Sequence, residues 1–176
     1  MLRPIEAGDA GDVIRWRSDP AVGSQFFSER PPTREEHEAW VDTIRRRGDR
    51  HEYVILADQG SRSIGTIGLS HIQSETGTAE YGILIGEPPY RGKGLAREAS
   101  VLILQYAFEV LGLEEIYLNV FADNTAAMRL YQLIGFQEDP ARRAERSPQG
   151  VMRATAYMRL ARPDWRKHEG SQHAIC

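Results

Sequence analysis

From His51 onward the apolar positions gather in short β-rich runs separated by turn residues: Tyr53-Val54-Ile55-Leu56-Ala57, then Ile64-Gly65-Thr66-Ile67-Gly68-Leu69, then Ala79 to Ile85. This pattern predicts a three-strand meander. The spacing then changes to the helical period, with Ala96, Ala99, Ile103, Tyr106, Ala107 and Val110 on one stripe and Gly112 placed to end it. A helix from Ala96 to Leu111 that covers one sheet face follows. Ile116, Leu118 and Val120 alternate with Tyr117, Asn119 and Phe121 as a strand, and Asn124 is placed to cap a helix of two to three turns ending at Gly135. Phe136 onward and Val151 to Leu160 predict a closing hairpin, joined by the Arg-rich segment Arg142 to Gly150. Ahead of the meander the pattern is thinner. Asp9 to Trp16 predicts a short helix capped by Asp9 or Asp12 and broken at Arg17-Ser18-Asp19-Pro20, and Thr33 with Glu36 forms a capping box for a second helix through Trp40, Val41 and Ile44 to Gly48. Residues 161–176 are polar and without periodicity, which predicts a flexible tail after one domain spanning 1–160.

Composition narrows the class. With 176 residues, 41% hydrophobic and 27% charged, the chain suits a single soluble domain with one core. The formal charge of -3 gives no basic field for nucleic acid, and no apolar run approaches the roughly 18 residues of a membrane span. The opening MLRPIEAGDAGDV carries acidic residues where a signal peptide has its apolar core, so a cytoplasmic protein is expected. The single cysteine, Cys176, excludes an intrachain disulfide and a cysteine-based metal site, and no metal is expected.

The stretch Leu84-Ile85-Gly86-Glu87-Pro88-Pro89-Tyr90-Arg91-Gly92-Lys93-Gly94-Leu95-Ala96 runs from a strand through a glycine loop into the long helix. Gly92 and Gly94 let the backbone turn its N–H groups inward, the first helical turn leaves donors unpaired, and the macrodipole adds partial positive charge. Arg91 and Lys93 contribute full charges. The loop is not a Walker motif, since Lys93 is followed by Gly94, and not a dinucleotide fingerprint, since the third small residue is replaced by Arg97. A structural turn and an anion site both remain open from this stretch alone.

Downstream, Asn119 to Tyr131 and then Leu133-Ile134-Gly135-Phe136 supply a second signature. Together the two segments resemble the GNAT superfamily of acyl-CoA-dependent N-acyltransferases: Arg91, Gly94 and Ala96 match its Gln/Arg-x-x-Gly-x-Gly/Ala loop, and Asn124, Tyr131, Gly135 and Phe136 match its Asn-(six)-Tyr-(three)-Gly-Phe pattern. The resemblance covers roughly residues 1 to 160. It implies an α+β GNAT fold with a mostly antiparallel twisted sheet of six to seven strands and about four helices, and acetyl-CoA as co-substrate. It assigns the backbone of Leu84, Ile85 and Gly86 to the pantetheine arm and the loop Arg91, Gly92, Lys93, Gly94, Leu95, Ala96 to the pyrophosphate.

Seven residues separate Asn124 from Tyr131, nearly two helical turns, so both face one way about 10 Å apart. By family analogy Asn124 binds the CoA arm and Tyr131 protonates the departing thiolate; the alternatives are that Asn124 only caps and Tyr131 only packs. An attacking ammonium must lose a proton. Glu80 occupies a position where some superfamily members keep a glutamate base working through water, Asn119 stands where others keep theirs, and His71 ranks below Glu80.

The family builds its acceptor pocket from the first helices and the last hairpin, which points to Trp16, Arg17, Phe26, Phe27, His37 and Trp40. Arg15-Trp16-Arg17-Ser18-Asp19-Pro20 with His37-Glu38-Ala39-Trp40 resembles the RimJ/RimL-type branch and its nucleotide-linked amino-sugar N-acetyltransferases. Arg15, Arg17, Arg30 and Arg34 mixed with Glu29, Glu35 and Glu36 suit a partly anionic small-molecule amine better than a polyamine. Protein N-terminal or polyamine acetylation, and a non-catalytic acyl-CoA-binding module, stay as alternatives, and a homodimer is left open.

Overall fold

The computed structural model describes residues 1–28, 30–146 and 152–173. Eight strands form one sheet: β1 (Leu2–Pro4), β2 (His51–Ala57), β3 (Arg62–Gln73), β4 (Thr78–Ile85), β5 (Glu115–Phe121), β6 (Gln137–Glu138), β7 (Ala144–Arg146) and β8 (Arg153–Ala161). Their order is β1-β2-β3-β4-β5-β8-β6, with β7 on the other end of β8. All neighbours are antiparallel except β4 and β5. The helices are α1 (Ala10–Ser18), the single turn α2 (Pro20–Gly23), α3 (Arg34–Arg47), α4 (Leu95–Gln105), α5 (Thr125–Ile134) and α6 (Arg162–His173). The mixed α/β architecture is the one expected, and the additional strands are the short ones: β1 has too few residues to show alternation, and the closing hairpin is split into β6 and β7 by the turn at Pro140–Arg142. Gly150, Val151, Glu29 and Cys176 lie outside the described residues.

Strand alternation sorts the sheet into two faces. Ile67, Leu69, Ala79, Tyr81, Ile116, Leu118, Ala156, Met158 and Leu160 pack with Ala99, Ile103 and Leu104 of α4 and Ile134 of α5 in the larger core. Val54 and Leu84 face the other way, against Ile5, Val13, Trp16 and Val41 from the α1 and α3 side. Burying each of these large side chains contributes about 1.5–3 kcal/mol. The α4 helix runs on through a wider turn at Tyr106–Val110, where the Leu111 N–H reaches back to Tyr106 O at 3.0 Å, before Gly112 ends it at φ 69°.

Two sequence expectations are corrected. Asp9 stands at the N-cap of α1 but its side chain does not cap; the carboxylate accepts the Glu6 N–H and binds Arg3, so a short 3-10 turn at Ala7–Asp9 precedes the helix. The break expected at Asp19-Pro20 is present, α1 ending at Ser18, and Asp19 also caps α2 by accepting the Ala21 N–H. The expected flexible tail is instead α6, docked by Trp165, which is 2% exposed and stacks near Phe108, and by Arg162, which donates twice to Leu113 O. One buried tryptophan in a polar run carries too little periodicity to be seen. The capping box of α3 forms as read, with Thr33 and Glu36 exchanging both bonds.

Candidate active site

Strands β4 and β5 pair at Thr78↔Glu115, Ala79↔Ile116 and Glu80↔Tyr117, and beyond Glu80 they part. A cleft of about 650 Å³ opens there. Its walls are Tyr81 to Ile85 of β4, Asn119 and Val120 of β5, the loop into α4, the inner side of α5, and Ala21, Val22, Gln25, Phe26 and Phe27 around α2. The Gly86 N–H donates to Ile64 O at 2.8 Å, so alternation along the antiparallel β3–β4 pair turns the backbone groups of Leu84 toward β3 and those of Ile83 and Ile85 toward the cleft. This corrects the strand assignment. Of the three strand residues expected to offer backbone to a ligand, Leu84 and Gly86 turn theirs to β3, while Ile85, and with it Ile83, turns to the cleft. Gly86 does not border the cleft, and the position requires glycine because a Cβ there would fall 2.0 Å from the Trp16 ring.

The glycine loop has the backbone the sequence required. Gly92 and Gly94 sit at φ 71° and 81°, with open space around a would-be Cβ at both, so the left-handed conformation rather than crowding demands glycine. Gly94 is the N-cap of α4 and offers no side-chain acceptor, so the first N–H groups of the helix stay available at the cleft. Leu95 and Ala96 line it. Of the two loop cations Arg91 borders the cleft and Lys93 does not. The Arg91 guanidinium donates to Ile85 O and Gly86 O at 3.0 and 2.8 Å and lies 3.6 Å from Asp19, strapping the end of β4. Lys93 rests over the Tyr90 ring and is not part of the wall.

Asn124 and Tyr131 are brought together on the cleft by α5. Asn124 caps the helix, its Oδ1 accepting the Ala127 N–H at 3.2 Å, and also borders the cleft. Tyr131 packs edge-on to Tyr81 and against Phe136, and its hydroxyl has no hydrogen-bond partner among the described residues. Burial pushes its phenol up to about 12, so it stays protonated at neutral pH. Tyr81 is satisfied separately by Ser100 at 2.6 Å.

Glu80 lies on the opposite face from Tyr131, in a chain of three polar groups. Its Oε2 is 3.0 Å from His71 Nδ1, and its Oε1 accepts from Asn119 Nδ2 at 3.1 Å. His71 is aimed there by a bulge between Ser70 and Gln73 that holds it at φ 50°. Asn119 borders the cleft and Glu80 does not, so the carboxylate reaches it through neighbours. One step along the same face, Glu52, Gly68 and Gly82 pair across β2, β3 and β4. The Glu52 carboxylate covers Gly68 so closely that a Cβ there would meet Oε2 at 2.3 Å, while Gly82 opens to empty space. Glu52 is 16% exposed, 3.7 Å from Arg50, and burial raises its carboxyl to about 7. Sequence reasoning missed it because the signal is a glycine pair across a register, not a motif.

Of the expected acceptor residues, Phe26 and Phe27 line the cleft. Arg17 stands behind them, stacked on Phe26 and bonded to Ser28. Trp16 and His37 are both 2% exposed, Trp16 bonded to Glu87 at 2.9 Å and His37 to Glu6 O at 3.3 Å, and Trp40 packs on the same small core. None of these three borders the cleft. Among the described residues no cluster of three or more His, Cys, Asp or Glu could hold a metal ion, and no helix is long and apolar enough to cross a membrane.

The comparisons with known proteins agree with this geometry. The acetyltransferase (GNAT) domain model matches residues 1–137. Spermidine N(1)-acetyltransferase of Vibrio cholerae is 31% identical over 139 residues, 78% of this chain and 79% of that protein. An uncharacterized Methanocaldococcus jannaschii protein is 28% identical over 141 residues, where 78% of this chain spans 28% of its length. The crystal structure of the V. cholerae spermidine N-acetyltransferase with CoA and spermine superposes with a TM-score of 0.85 at 27% identity, covering 94% of this chain and 96% of that one. A splayed β4–β5 cleft, a glycine-capped α4 and a buried cleft tyrosine, together with a family model spanning most of the chain, place this protein in the GNAT acetyltransferase family as a GNAT-type N-acetyltransferase.

Proposed function

We propose that the protein transfers an acetyl group from acetyl-CoA to a primary amine of a linear polyamine. The observation that carries the acceptor class is the second sheet face, where Glu52 and Glu80 flank the glycine pair Gly68 and Gly82, and Gly82 is itself a cleft wall. One strand spacing from Gly82, roughly 5 Å, the Glu52 carboxylate lies over Gly68, so the open ground above Gly82 ends at a carboxylate. That suits an extended chain with one amine in the cleft and a second ammonium at Glu52. The spermidine acetyltransferase relatives support this reading. The amino-sugar reading loses its basis, since Trp16 and His37 are core residues rather than cleft walls.

The residues fit acetyl-CoA, which supplies the activated acetyl group when bound. The α4 N-terminus and the loop amides would hold its pyrophosphate, and the outward backbone groups of Ile83 and the Ile85 N–H would pair with its pantetheine arm. The Ile83 N–H is a donor for the thioester carbonyl. Glu80, linked to His71 and to Asn119 at the cleft, takes the proton of the acceptor ammonium through a water relay, and the Tyr131 hydroxyl donates one to the departing thiolate. Incubating the protein with acetyl-CoA and spermidine, spermine, a nucleotide-linked amino sugar and peptides, then reading products by mass spectrometry, tests the proposal. Acetylated polyamine is expected; acetylation confined to the sugar or the peptides overturns it.

A further inference from the structure

We infer that Arg153 is a positioning residue that couples the two halves of the cleft. The guanidinium binds both oxygens of Asp123, Nε to Oδ2 at 3.0 Å and Nη2 to Oδ1 at 2.5 Å. The same group donates from Nη1 to Ser24 O at 2.5 Å and from Nη2 to Gln25 Oε1 at 3.3 Å, and it lies 3.7 Å over the Phe121 ring. Phe27 meets the other side of that contact, edge-on to Phe121 with centroids 4.8 Å apart. A single side chain, 17% exposed, therefore joins three segments far apart in sequence: the turn that leads into Asn124, the loop after α2, and β8.

The two segments it joins do different work. Asp123 immediately precedes Asn124, which borders the cleft where the family resemblance puts the CoA arm, while Gln25, Phe26 and Phe27 border it where that resemblance puts the acceptor. Between them the described residues show no hydrogen bond that bypasses Arg153. A planar fork with five donors can hold a carboxylate on one edge and a carbonyl on the other, which a lysine ammonium cannot do in fixed geometry. Two sites joined through one such element share a coupling free energy, and ordering either one favours the other. Filling the CoA side thus orders residues 21–28. This rests on the CoA side being where the proposed function puts it.

The test is hydrogen–deuterium exchange of residues 21–28 with and without CoA, in the native protein, Arg153→Ala and Arg153→Lys, beside calorimetric CoA binding to each. Native protein should show at least fivefold slower exchange of this segment with CoA, both variants should lose that protection while their CoA affinity changes less than threefold, and acceptor KM should rise about tenfold with kcat changed far less. Protection retained in Arg153→Ala, or unchanged acceptor KM, overturns the coupling. A general loss of Tm and of CoA affinity with no selective effect on residues 21–28 overturns it too, as a merely structural role. Absence of CoA binding in the native protein would instead sink the functional reading itself.

Discussion

The two walls of the cleft are built from different material. On the α4–α5 side the wall is mostly backbone and one phenol: glycines at positive φ, bare helix N–H groups, the outward backbone groups of Ile83 with the Ile85 N–H, and Tyr131. On the α2 side and along the second sheet face it is side chains: Phe26, Phe27 and Asn119 at the surface, backed from other elements by Arg153 and by Glu80 with His71. A backbone wall needs glycine and cap residues at fixed offsets, so it can be read as a motif. A side-chain wall needs only that the right groups converge, and many spacings achieve that. Such a division suits an enzyme whose one substrate is invariant and whose other is a choice.

If the contrast is real, damage to one wall should spare the ligand of the other. The largest effect is expected from Tyr131→Phe, which keeps the ring packing and deletes the donor: kcat should fall roughly 100-fold, within the usual range for general acid catalysis, with acetyl-CoA affinity unchanged. Single-turnover kinetics separate chemistry from product release, and a chemical step as fast as the native one removes the phenol from the mechanism. Because burial holds that phenol at about 12, the native rate should show no downturn from loss of this acid across the neutral and mildly alkaline range.

Gly94→Val comes next. A β-branched residue at φ 81° is strained whatever the space around it, so the α4 entry should distort and acetyl-CoA affinity should fall about tenfold, with acceptor KM little changed. Equal losses for both substrates in calorimetry and kinetics would mean that the walls are not separable.

The last effect is on stability and lies on the second sheet face. Glu52 binds its proton more tightly in the folded chain than in the unfolded one, so its contribution to stability is full below about 4.5 and is lost as pH rises through about 7. Glu52→Gln should flatten that slope and gain roughly 2–3 kcal/mol over native protein on going from pH 5 to pH 8, by urea denaturation. Identical pH dependence in both proteins would show that the carboxylate is not desolvated.

Legibility followed the same division. The strands and helices with strong periodicity, the α3 capping box, the glycine loop and the Asn124–Tyr131 spacing were all readable because each is a local constraint. The phase of the β4 edge was not, since which backbone groups face outward depends on pairing with β3. Trp16 and His37 misled because an aromatic residue on a short helix looks the same in sequence whether it lines a pocket or fills a core. Arg91 lines the cleft from its motif position, and what the sequence did not show is that the same guanidinium holds Ile85 O and Gly86 O. Glu52 and Arg153 left no trace because their partners are remote, Gly68 and Gly82 in one case and Asp123, Ser24 and Gln25 in the other.

The indole of Trp16 pressed onto Gly86 has a consequence for descent. A Cβ at position 86 would overlap the ring, and a smaller residue at 16 would leave a hole beside a bare backbone. The two positions should therefore change as a pair: a lineage that gains a side chain at 86 must give up the tryptophan at 16, and with it one of the two bonds, beside that of Arg15, by which the first helix holds Glu87 at the end of β4. Among relatives, those that keep the glycine should keep the tryptophan, and branches that exchange one should carry the other change as well.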